Sequence, residues 1–425
     1  MSGTEHVLIV GGGREIPQLL RRHGAGSRTS VLCQLPLLPK LRDVDEHERV
    51  IGLRADASDE EWIVAAQQVH GASPVTRIAS FGERDQIRLA VVGSALGLST
   101  HTAETVAAVH DKHLMRRVLA DAGVEKVVAV RLDNEAAVVE WVRANPGTWV
   151  LKPVDGTASA GVALVRSHRE AAAAYQRCVA TEHTGRRHSP EVLLEEYLTG
   201  PQVSVESLSE DGEHVVVAYT GKYSDPATFV ELGHVVPAVI DDAARAGLAA
   251  HTSEVLDALG VRDGTCHTEF VLTPDGPRTI ETHLRVAGDE IPYLVHDATG
   301  VDLIGCVVRQ TFGERVLPEV RRTLAATPVR PQAIWFGTAP CAGEVDRWEG
   351  LDEARAAGPS VTLTVEAHPG DRVVPLGDSH SRVVWARAEG GTADEALRRA
   401  YTAVAACRLV VTVPTVPDGG FQTAL

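Results

Sequence analysis

Lysine, methionine and aromatic residues are scarce in this chain of 425 residues. Aromatic residues make up 4% of it, and only five of its 41 basic residues are lysines, at positions 40, 112, 126, 152 and 222. Because arginine replaces lysine wherever a generic cation is enough, each remaining lysine is a candidate for a role that needs a compact ammonium group. The formal net charge is −16. This acidic balance argues against a nucleic-acid partner, and any phosphate site must create its own positive field.

The chain also lacks long apolar runs and paired cysteines. No run reaches the roughly 18 residues that a membrane helix needs, and residues 1–6 are polar, unlike a signal peptide. The six cysteines are scattered and form no CxxC pair, so neither a disulfide framework nor a zinc site is expected. We therefore expect a cytoplasmic protein without membrane contact, large enough for two or three domains.

Strand-like and helix-like segments alternate over the first hundred residues. The strand-like segments are 6–10, 30–32, 50–53 and 77–81, and the helical segments are 16–23, 59–69 and 85–96. Alternation of this kind predicts a parallel sheet with flanking helices. Residues 1–104 are therefore predicted to form a Rossmann-like α/β domain.

A mixed α+β pattern replaces this alternation after residue 127. The predicted strands are 149–152, 162–165, 191–198, 203–208, 215–220, 268–272 and 278–281, with a helix at 242–259. Residues 319–330 contain proline and arginine and are predicted to form a connector. Strands at 332–336, 361–365, 382–385 and 409–413 and a helix at 392–406 follow. We expect an α+β domain over 105–315 and a C-terminal α+β lobe over 316–425.

A glycine run, Gly11-Gly12-Gly13, lies between the first predicted strand and the first helix. Such a turn can hold a dinucleotide pyrophosphate at the N-terminus of the helix. The spacing does not match GxGxxG, and no acidic residue closes a second strand at the expected distance. We therefore interpret the run as a tight turn that could line a substrate cleft.

A loop of small residues follows Lys152, which ends a predicted strand. The loop contains Gly156, Thr157, Ser159 and Gly161. Such residues let backbone N–H groups turn toward an anion, and the lysine adds a point charge for a phosphate. Their order differs from the GxxxxGK[ST] of a P-loop. The alternative, a hairpin loop without a ligand, leaves unexplained why a lysine-poor chain retains this lysine.

Four charged residues on two neighbouring predicted strands form the strongest chemical pattern, and they are Glu269, Glu281, His283 and Arg285. The last three alternate along the chain and therefore share one face. Two carboxylates brought together repel unless a cation neutralises them, and magnesium takes carboxylates together with phosphate oxygens. An arginine beside such a site suits a developing phosphate or oxyanion. The alternative is an exposed, salt-bridged face.

Two further segments carry polar residues in apolar surroundings. Glu195 and Glu196 end one predicted strand, where an acid can accept a hydrogen bond from a purine amino group. Glu231 and His234 lie in an apolar segment, where buried polar groups need partners such as a ligand amine or carboxylate. The alternatives are solvated acids in the first segment and a core histidine in the second.

In this order, the segments resemble the ATP-grasp superfamily over roughly residues 105–315. The resemblance implies an ATP-grasp fold that follows a Rossmann-like pre-ATP-grasp domain. It also implies ATP and Mg²⁺, with Mn²⁺ as a substitute, and it gives Lys112 and Lys152 to the phosphates and the loop after Lys152 to the triphosphate. The adenine hinge would be the run Glu195, Glu196, Tyr197 and Leu198. Glu269 and Glu281 would hold the metal, while His283 stands where the superfamily often has asparagine, so its role as a metal ligand is an open question.

Within the superfamily, the segments 229–238 and 281–292 resemble carboxylate–amine ligases, including the L-amino-acid ligases and amide ligases of peptide-antibiotic pathways. The resemblance implies a small-molecule acid and amine as substrates, joined through an acyl phosphate, and allows a homodimer. It places five residues at the substrate, namely Glu231, His234, Arg285, Gly288 and Asp289. Arg285 would stabilise the oxyanion, and Lys152 would act with it in catalysis.

Three alternatives remain open at this point. An ATP-grasp carboxylase or purine-pathway ligase would show a different dependence, for example on bicarbonate. A non-catalytic ATP-binding regulator would bind ATP and release no phosphate with any substrate pair. A dehydrogenase built on Gly11–Gly13 would bind a nicotinamide nucleotide. The complete set of two lysines, two glutamates and one arginine favours the ligase.

Overall fold

The computed structural model describes residues 5–13, 15–24, 26–154, 158–180, 182–183, 186–187, 190–358 and 360–413. Its first unit contains β1 (His6–Val10), α1 (Ile16–His23), β2 (Arg28–Gln34), β3 (Arg49–Leu53), α2 (Asp59–Ala72), β4 (Arg77–Ala79) and α3 (Gln86–Leu96). The four strands form a parallel sheet in the order β3-β2-β1-β4. Every residue of β1 is buried, as expected where helices cover both faces of a parallel sheet. The predicted Rossmann-like alternation is therefore present.

A second unit is built on a small antiparallel sheet with the strand order β5-β10-β6-β7. Its elements are α4 (Ala103–His110), α5 (Lys112–Asp121), β5 (Ala129–Leu132), α6 (Glu135–Ala144), β6 (Trp149–Pro153), β7 (Ala163–Val165), α7 (His168–Ala180), β8 (Glu182–His183), β9 (Arg186–Arg187) and β10 (Val192–Glu196). Apolar side chains of α6 and α7 pack on this sheet and form one of the hydrophobic cores. The predicted hairpin across the small-residue loop is the pair β6–β7.

An antiparallel sheet of eight strands forms the centre of the molecule, in the order β15-β14-β11-β12-β13-β16-β20-β18. Its first part and the helices around it are β11 (Gln202–Glu210), β12 (Glu213–Ser224), β13 (Glu231–Val236), α8 (Asp242–Ala258), β14 (Gly264–Thr273), β15 (Gly276–His283), α9 (Ile291–Thr299), α10 (Leu303–Thr311) and α11 (Leu317–Ala326). Apolar side chains of α8 pack with Phe270 in one hydrophobic core, and those of α9, α10 and α11 form a second hydrophobic core.

The last part of the chain extends this sheet. Its elements are β16 (Gln332–Thr338), β17 (Gly343–Glu349), α12 (Leu351–Arg355), β18 (Thr362–Val365), β19 (Arg372–Val373), β20 (Arg382–Glu389), α13 (Ala393–Ala406) and β21 (Arg408–Thr412). Strands β16, β20 and β18 join the central sheet through β13, and β19-β17-β21 form a separate sheet. The C-terminal lobe is therefore continuous with the domain before it.

The prediction of a connector over 319–330 was wrong in its first part, because α11 covers Leu317–Ala326. Pro318 lies in the first turn of this helix. A backbone N–H at that position has no partner within the helix, so the N–H that proline lacks costs the helix no hydrogen bond. Leu317 and Val320 are buried three residues apart, which is the helical spacing that anchors α11 to the core. The domain boundary predicted at 104/105 falls within α4, and the one at 315/316 lies between α10 and α11.

The six cysteines are free thiols, and four of them are buried. Burial raises the pKa of Cys33 to about 11 and that of Cys266 and Cys306 to about 12, so these three thiols stay protonated at neutral pH. Within the described part of the chain, no helix alone is long and apolar enough to cross a membrane. Helices α9 and α10 meet that criterion only as a pair, and the chain bends by 102° between them.

Candidate active site

A cavity of about 140 Å³ lies between the small sheet and the central sheet, and we call it the small cavity. It collects most of the predicted nucleotide and metal residues, which are Lys112, Lys152, Ser159, Glu195, Glu196, Tyr197, Leu198, Glu269 and Glu281. Predicted Gly161 is described but does not line it, and Gly156 and Thr157 lie outside the described residues. Sequence segments that are 169 positions apart at their extremes therefore meet at one place, as the resemblance implied.

Lys112 enters the small cavity from the first turn of α5. Asp111 begins this helix by accepting hydrogen bonds from the backbone N–H groups of His113 and Leu114, at 2.9 and 3.0 Å, as an N-cap does. The Lys112 ammonium lies 2.7 Å from Glu281 Oε2. Burial disfavours the charged ammonium, but Glu281 outweighs this effect and raises the pKa of Lys112. The lysine is therefore a permanent cation in the cavity.

A second cation pairs with the predicted adenine hinge. Arg116, one turn after Lys112 on α5, binds Glu195 through Nε–Oε1 at 2.9 Å and Nη2–Oε2 at 3.3 Å, and Lys152 contacts the same carboxylate. Burial opposes the ionisation of Glu195, but Arg116 and Lys152 lower its pKa to about 2. Both of its oxygens are therefore engaged within the protein. Glu196 accepts from the backbone N–H of Val128 at 2.9 Å, so the hinge side chains are held in place before any ligand arrives.

Lys152 differs from Lys112 in its electrostatic environment. Burial lowers its pKa, the neighbouring Arg116 and Lys112 act in the same direction, and Glu195 offsets them only in part. A buried cation among cations is favourable only if more negative charge arrives. An incoming phosphate would supply that charge.

The two predicted metal carboxylates lie side by side on neighbouring strands at one edge of the central sheet. Glu269 on β14 and Glu281 on β15 are direct partners in the strand register. Lys222 on β12 contacts Glu269 and lies 3.0 Å from Glu231 Oε1, while Lys112 holds Glu281. Burial opposes their ionisation, but Lys222 lowers the pKa of Glu269 to about 2, and Lys112 lowers that of Glu281 well below its usual value. Both carboxylates are therefore anionic at neutral pH.

These residues fit a magnesium ion that is completed by phosphate oxygens. Mg²⁺ usually takes one or two protein carboxylates, with the remaining positions filled by substrate phosphates and water. Among the described residues, no three metal-binding side chains converge on one point, and the lysines stand against Glu269 and Glu281 instead. The two carboxylates would hold the ion, and Lys112, which lines the same cavity, would add positive charge beside the phosphates.

Two stacked histidines contact these carboxylates, His267 at Glu269 and His283 at Glu281. The rings of His267 and His283 are parallel within 15° at a centroid distance of 5.9 Å. His267 bridges Glu206 and Glu269, with nitrogen–oxygen distances of 2.9 and 3.1 Å. Burial disfavours its charged form, but Glu206 and Glu269 raise the pKa of His267 to about 9. His267 therefore adds a positive charge to the metal side of the site.

His283 connects the small cavity to a second one. Its Nε2 lies 3.2 Å from Glu281 and its Nδ1 lies 3.4 Å from Glu83. Arg285 binds the same Glu83 carboxylate at 2.6 Å. Burial opposes the ionisation of Glu83, but His283 and Arg285 lower its pKa to about 2. Both nitrogens of His283 are thus directed at carboxylates, and its predicted role as a metal ligand remains a prediction.

The second cavity, the large cavity, has a volume of about 990 Å³. The first unit, the loop after β15 and the C-terminal lobe all contribute to its walls, which include Gly13, Phe81, Glu83, Arg285, Gly288, Asp289, Phe336, Arg382 and Trp385. Three of the predicted substrate residues, Arg285, Gly288 and Asp289, therefore line it. Glu231 lines the small cavity instead, and His234 is buried beside Asp289. The glycine turn contributes Gly13 to the large cavity, which matches its interpretation as part of a substrate cleft.

Sequence analysis missed four charged groups of the site: Glu83, Arg116, Lys222 and Arg382. Arg116 could have been found, because it follows Lys112 at i+4 on one helix. Glu83 follows the carboxyl end of parallel strand β4, where ligand-binding groups of such sheets cluster. Lys222 was noted as a rare lysine without a role, and no sequence pattern indicated Arg382.

Comparisons with known proteins bear on the same segments. Residues 146–292 match the model of the ATP-grasp domain, and residues 335–412 match L-amino acid ligase C-terminal domain 2. The chain is 30% identical over 371 residues to y4rH, an uncharacterised protein of Sinorhizobium fredii, covering 86% of this chain and 75% of the relative. It is 27% identical to dapdiamide A synthase of Enterobacter agglomerans over 57% of this chain, and it spans 58% of that relative.

A solved structure shares the fold across almost the whole chain. The L-amino acid ligase of Bacillus licheniformis superimposes with a TM-score of 0.79 at 18% sequence identity, covering 97% of this chain and all of the other. The matched ATP-grasp region contains Lys152, Glu269, Glu281 and Arg285, and Lys112 contacts this region through Glu281. The chain therefore belongs to the ATP-grasp family and carries the C-terminal domain of the L-amino acid ligases.

Proposed function

We propose that this protein is an ATP-dependent carboxylate–amine ligase, which joins an amino acid or a related carboxylic acid to the amine of a second amino acid and releases ADP and phosphate. The observation that carries the proposal is the connection of the two cavities. A series of contacts between charged and ionisable side chains runs without a break from the small cavity to the large one, through Lys112, Glu281, His283, Glu83 and Arg285. A nucleotide in the first cavity and an acid in the second would meet along this series.

The first half-reaction would be phosphoryl transfer. A carboxylate oxygen of the acid attacks the γ-phosphorus of ATP, the bond to the bridging oxygen breaks, and ADP leaves. Lys112 and Lys152 orient the phosphates, and Arg116 keeps Glu195 ionised beside them. Glu269 and Glu281 would hold a magnesium ion, which would supply positive charge against the negative charge of the phosphates. Because this step needs mainly positioning and charge stabilisation, no protein nucleophile is required.

The second half-reaction would form the amide. The neutral amine attacks the carbonyl carbon of the acyl phosphate, the carbon–oxygen bond to phosphate breaks, and the amine nitrogen loses a proton. Arg285 lines the large cavity and stabilises the oxyanion. The walls must also exclude water, since an acyl phosphate would otherwise be hydrolysed. Ser379 of the C-terminal lobe donates its backbone N–H to the carbonyl of Ala158 at 3.2 Å, which holds that lobe against the small-residue loop.

Phosphate release from Mg-ATP against a matrix of amino-acid pairs tests the proposal. We expect release only with particular pairs, an amide product by mass spectrometry, and strongly reduced release from Glu281→Gln at a magnesium concentration that saturates the wild type. A bicarbonate series separates a carboxylase, because only a carboxylase would depend on bicarbonate instead of an amine. ATP binding without phosphate release under any of these conditions, extended to other carboxylic acids, would refute the ligase.

A further inference from the structure

One wall of the large cavity carries an arginine from the C-terminal lobe. Arg382, the first residue of β20, binds the Asp289 carboxylate through both terminal nitrogens, with Nη1–Oδ2 at 2.7 Å and Nη2–Oδ1 at 2.5 Å. Nη1 also donates to the backbone carbonyl of Glu231 at 3.2 Å. The guanidinium lies 3.8 Å from the ring centroid of Phe336. A bidentate, stacked arginine fixes direction as well as charge, so Arg382 connects two substrate segments that are far apart in sequence.

The loop that Arg382 holds has an unfavourable backbone conformation. Asp289 has φ +54° and Glu290 has φ +61°, which is the left-handed region that residues with a Cβ seldom adopt. Such conformations persist only where the surroundings enforce them, and they cluster at functional sites. Arg285, the predicted oxyanion group, lies only four residues before Asp289. The contact of Arg382 with Asp289 therefore also affects the position of Arg285 in the large cavity.

Asp289 in turn fixes His234. His234 Nε2 lies 3.1 Å from Asp289 Oδ2, and the residue is 1% exposed. Its other ring nitrogen, Nδ1, has no hydrogen-bond partner within the described part of the chain. Unpaired buried polar atoms are rare in native proteins, and each calls for an explanation. With its proton placed on Nε2 by Asp289, His234 would hold a lone pair on Nδ1.

The carboxylate of Asp289 is already paired with side chains of the protein. Burial opposes its ionisation, but hydrogen bonds from Arg382 and His234 hold the pKa of Asp289 well below its usual range. Both carboxylate oxygens accept from Arg382. Although it lines the large cavity, Asp289 is therefore poorly suited to bind the ammonium of an amino-acid substrate. Its position indicates a structural task at the site instead of direct substrate binding.

We propose that Arg382 is a positioning residue for the amino-acid side of the reaction, and this inference rests on the proposed ligase function. Through Asp289 it sets the shape of the loop 286–290 and the orientation of His234, and through the Glu231 carbonyl it aligns the neighbouring strand. The C-terminal lobe thereby completes the substrate site, although none of its described residues lines the small cavity.

The same strand offers a matched control. Arg387 contacts Asp297, which lies beyond the loop, and is 3.6 Å from Glu290, the last residue of the loop, but it does not contact Asp289 and does not line the large cavity. For Arg382→Gln we expect the KM for the amino-acid substrates to rise at least tenfold while the KM for ATP changes less than twofold. Arg387→Gln should change the KM for the amino-acid substrates and the KM for ATP by less than twofold. Arg382→Lys should recover only part of the loss, because an ammonium cannot make the bidentate contact.

A double-mutant cycle with Asp289→Asn tests whether Arg382 acts through Asp289. If it does, Arg382→Gln adds less than twofold to the KM effect of Asp289→Asn, because contacting residues are not additive. If the KM effects of Arg382→Gln and Asp289→Asn multiplied in full in the double variant, Arg382 would not act through Asp289, and the proposal would be overturned. Equal KM changes in Arg382→Gln and Arg387→Gln would overturn it as well, since they would indicate only loss of contact between the lobe and the rest of the chain.

Hydrogen exchange of the ligand-free protein provides a readout without turnover. In Arg382→Gln, the amides of Ile291 and Leu294, which donate to the loop carbonyls of Gly288 and Glu290, should exchange at least tenfold faster than in the wild type, and those of β6 should not change. Unchanged exchange of these two amides would refute the positioning role. If the wild type released no phosphate with any acid and amine, the ligase function would fail, whereas the exchange result would still decide whether Arg382 holds this loop.

Discussion

The ammonium nitrogen of Lys222 lies 3.0 Å from a carboxylate oxygen of Glu231, and the same ammonium contacts Glu269. One buried lysine thus connects a predicted substrate residue to a predicted metal residue. Burial disfavours its charge, but Glu269 and Glu231 together raise the pKa of Lys222. It is therefore charged at neutral pH, and it balances two carboxylates that would otherwise repel each other.

Substitution of Lys222 by methionine should therefore destabilise the protein strongly. The change leaves Glu231 and Glu269 without their cation, and removal of one partner of a buried ion pair costs roughly 3–5 kcal/mol. Urea unfolding followed by circular dichroism would measure this loss. Lys126→Met is the matched control, because Lys126 is exposed and its removal should change the free energy of unfolding by less than about 0.5 kcal/mol. Similar values for the two variants would contradict the central role of Lys222.

Glu281→Gln should separate magnesium binding from nucleotide binding. The amide keeps an oxygen at the position but loses the negative charge that balances Lys112, and magnesium binds a neutral amide less well than a carboxylate. We expect at least a tenfold rise in the magnesium concentration that half-saturates phosphate release. The exposed residue Glu353 gives the control, since Glu353→Gln should titrate like the wild type.

Thermal unfolding adds a test that does not depend on turnover. Magnesium together with a non-hydrolysable ATP analogue should raise the Tm of the wild type more than the analogue alone, because a ligand that binds only the native state stabilises it. The extra rise should disappear in Glu281→Gln. If it remained in full, Glu281 would not be a metal ligand.

The sequence predicted elements whose signals are local and missed groups whose partners are distant. Lys152 and the pair Glu269 and Glu281 were predictable, since a lysine beside a small-residue loop and acids on adjacent strands are patterns within about twenty residues. Glu83 contacts Arg285 across 202 positions of sequence, and no local pattern encodes that distance. The stretch 319–330 shows the opposite error, because its proline and arginines predicted a connector, whereas α11 continues to Ala326 and Pro328 lies two residues beyond its end.

Arg382 was beyond sequence reasoning for a similar physical cause. It is one of many arginines in an arginine-rich chain, and its importance depends on the order of strands in the central sheet. Only when β16 and β20 add to β13 does Arg382 approach Asp289 and the Glu231 carbonyl. Strand order between distant segments is set by packing of whole layers, which a periodicity of polar and apolar residues does not specify.

Arg116→Met should weaken both the fold and nucleotide binding. Arg116 bonds Glu195, lies 3.1 Å from Glu125 and donates to the Ile280 carbonyl at 3.3 Å, so its loss leaves two buried carboxylates without this partner. We expect a loss of about 3–5 kcal/mol in the free energy of unfolding and weaker ATP binding by calorimetry. The next residue, Arg117, is exposed, so Arg117→Met should change neither the free energy of unfolding nor the affinity for ATP. Unaltered ATP affinity in a folded Arg116→Met would show that the arginine serves the fold alone.

The stability of the protein should fall between about pH 6.5 and pH 9 because of His267. Its folded-state pKa is about 9, whereas the ordinary value is 6.5, since Glu206 and Glu269 favour the imidazolium more than burial disfavours it. A raised folded pKa means that the charged histidine stabilises the native state fully below about pH 6.5. This contribution is lost as the pH rises through 9, and it amounts to at most about 3 kcal/mol.

Urea unfolding of the wild type and His267→Gln across pH 6–9.5 measures this contribution as a difference. The wild type should be more stable than the variant at pH 6, and the gap should narrow steadily toward pH 9.5, because glutamine does not titrate. Taking the difference removes groups common to both proteins, including the buried thiols of Cys266 and Cys306. His368→Gln, at an exposed position, should show a constant difference from the wild type. A gap that stayed constant for His267→Gln would mean that folding does not raise the pKa of His267 above its ordinary value, and the stabilisation of its charged form by Glu206 and Glu269 would be refuted.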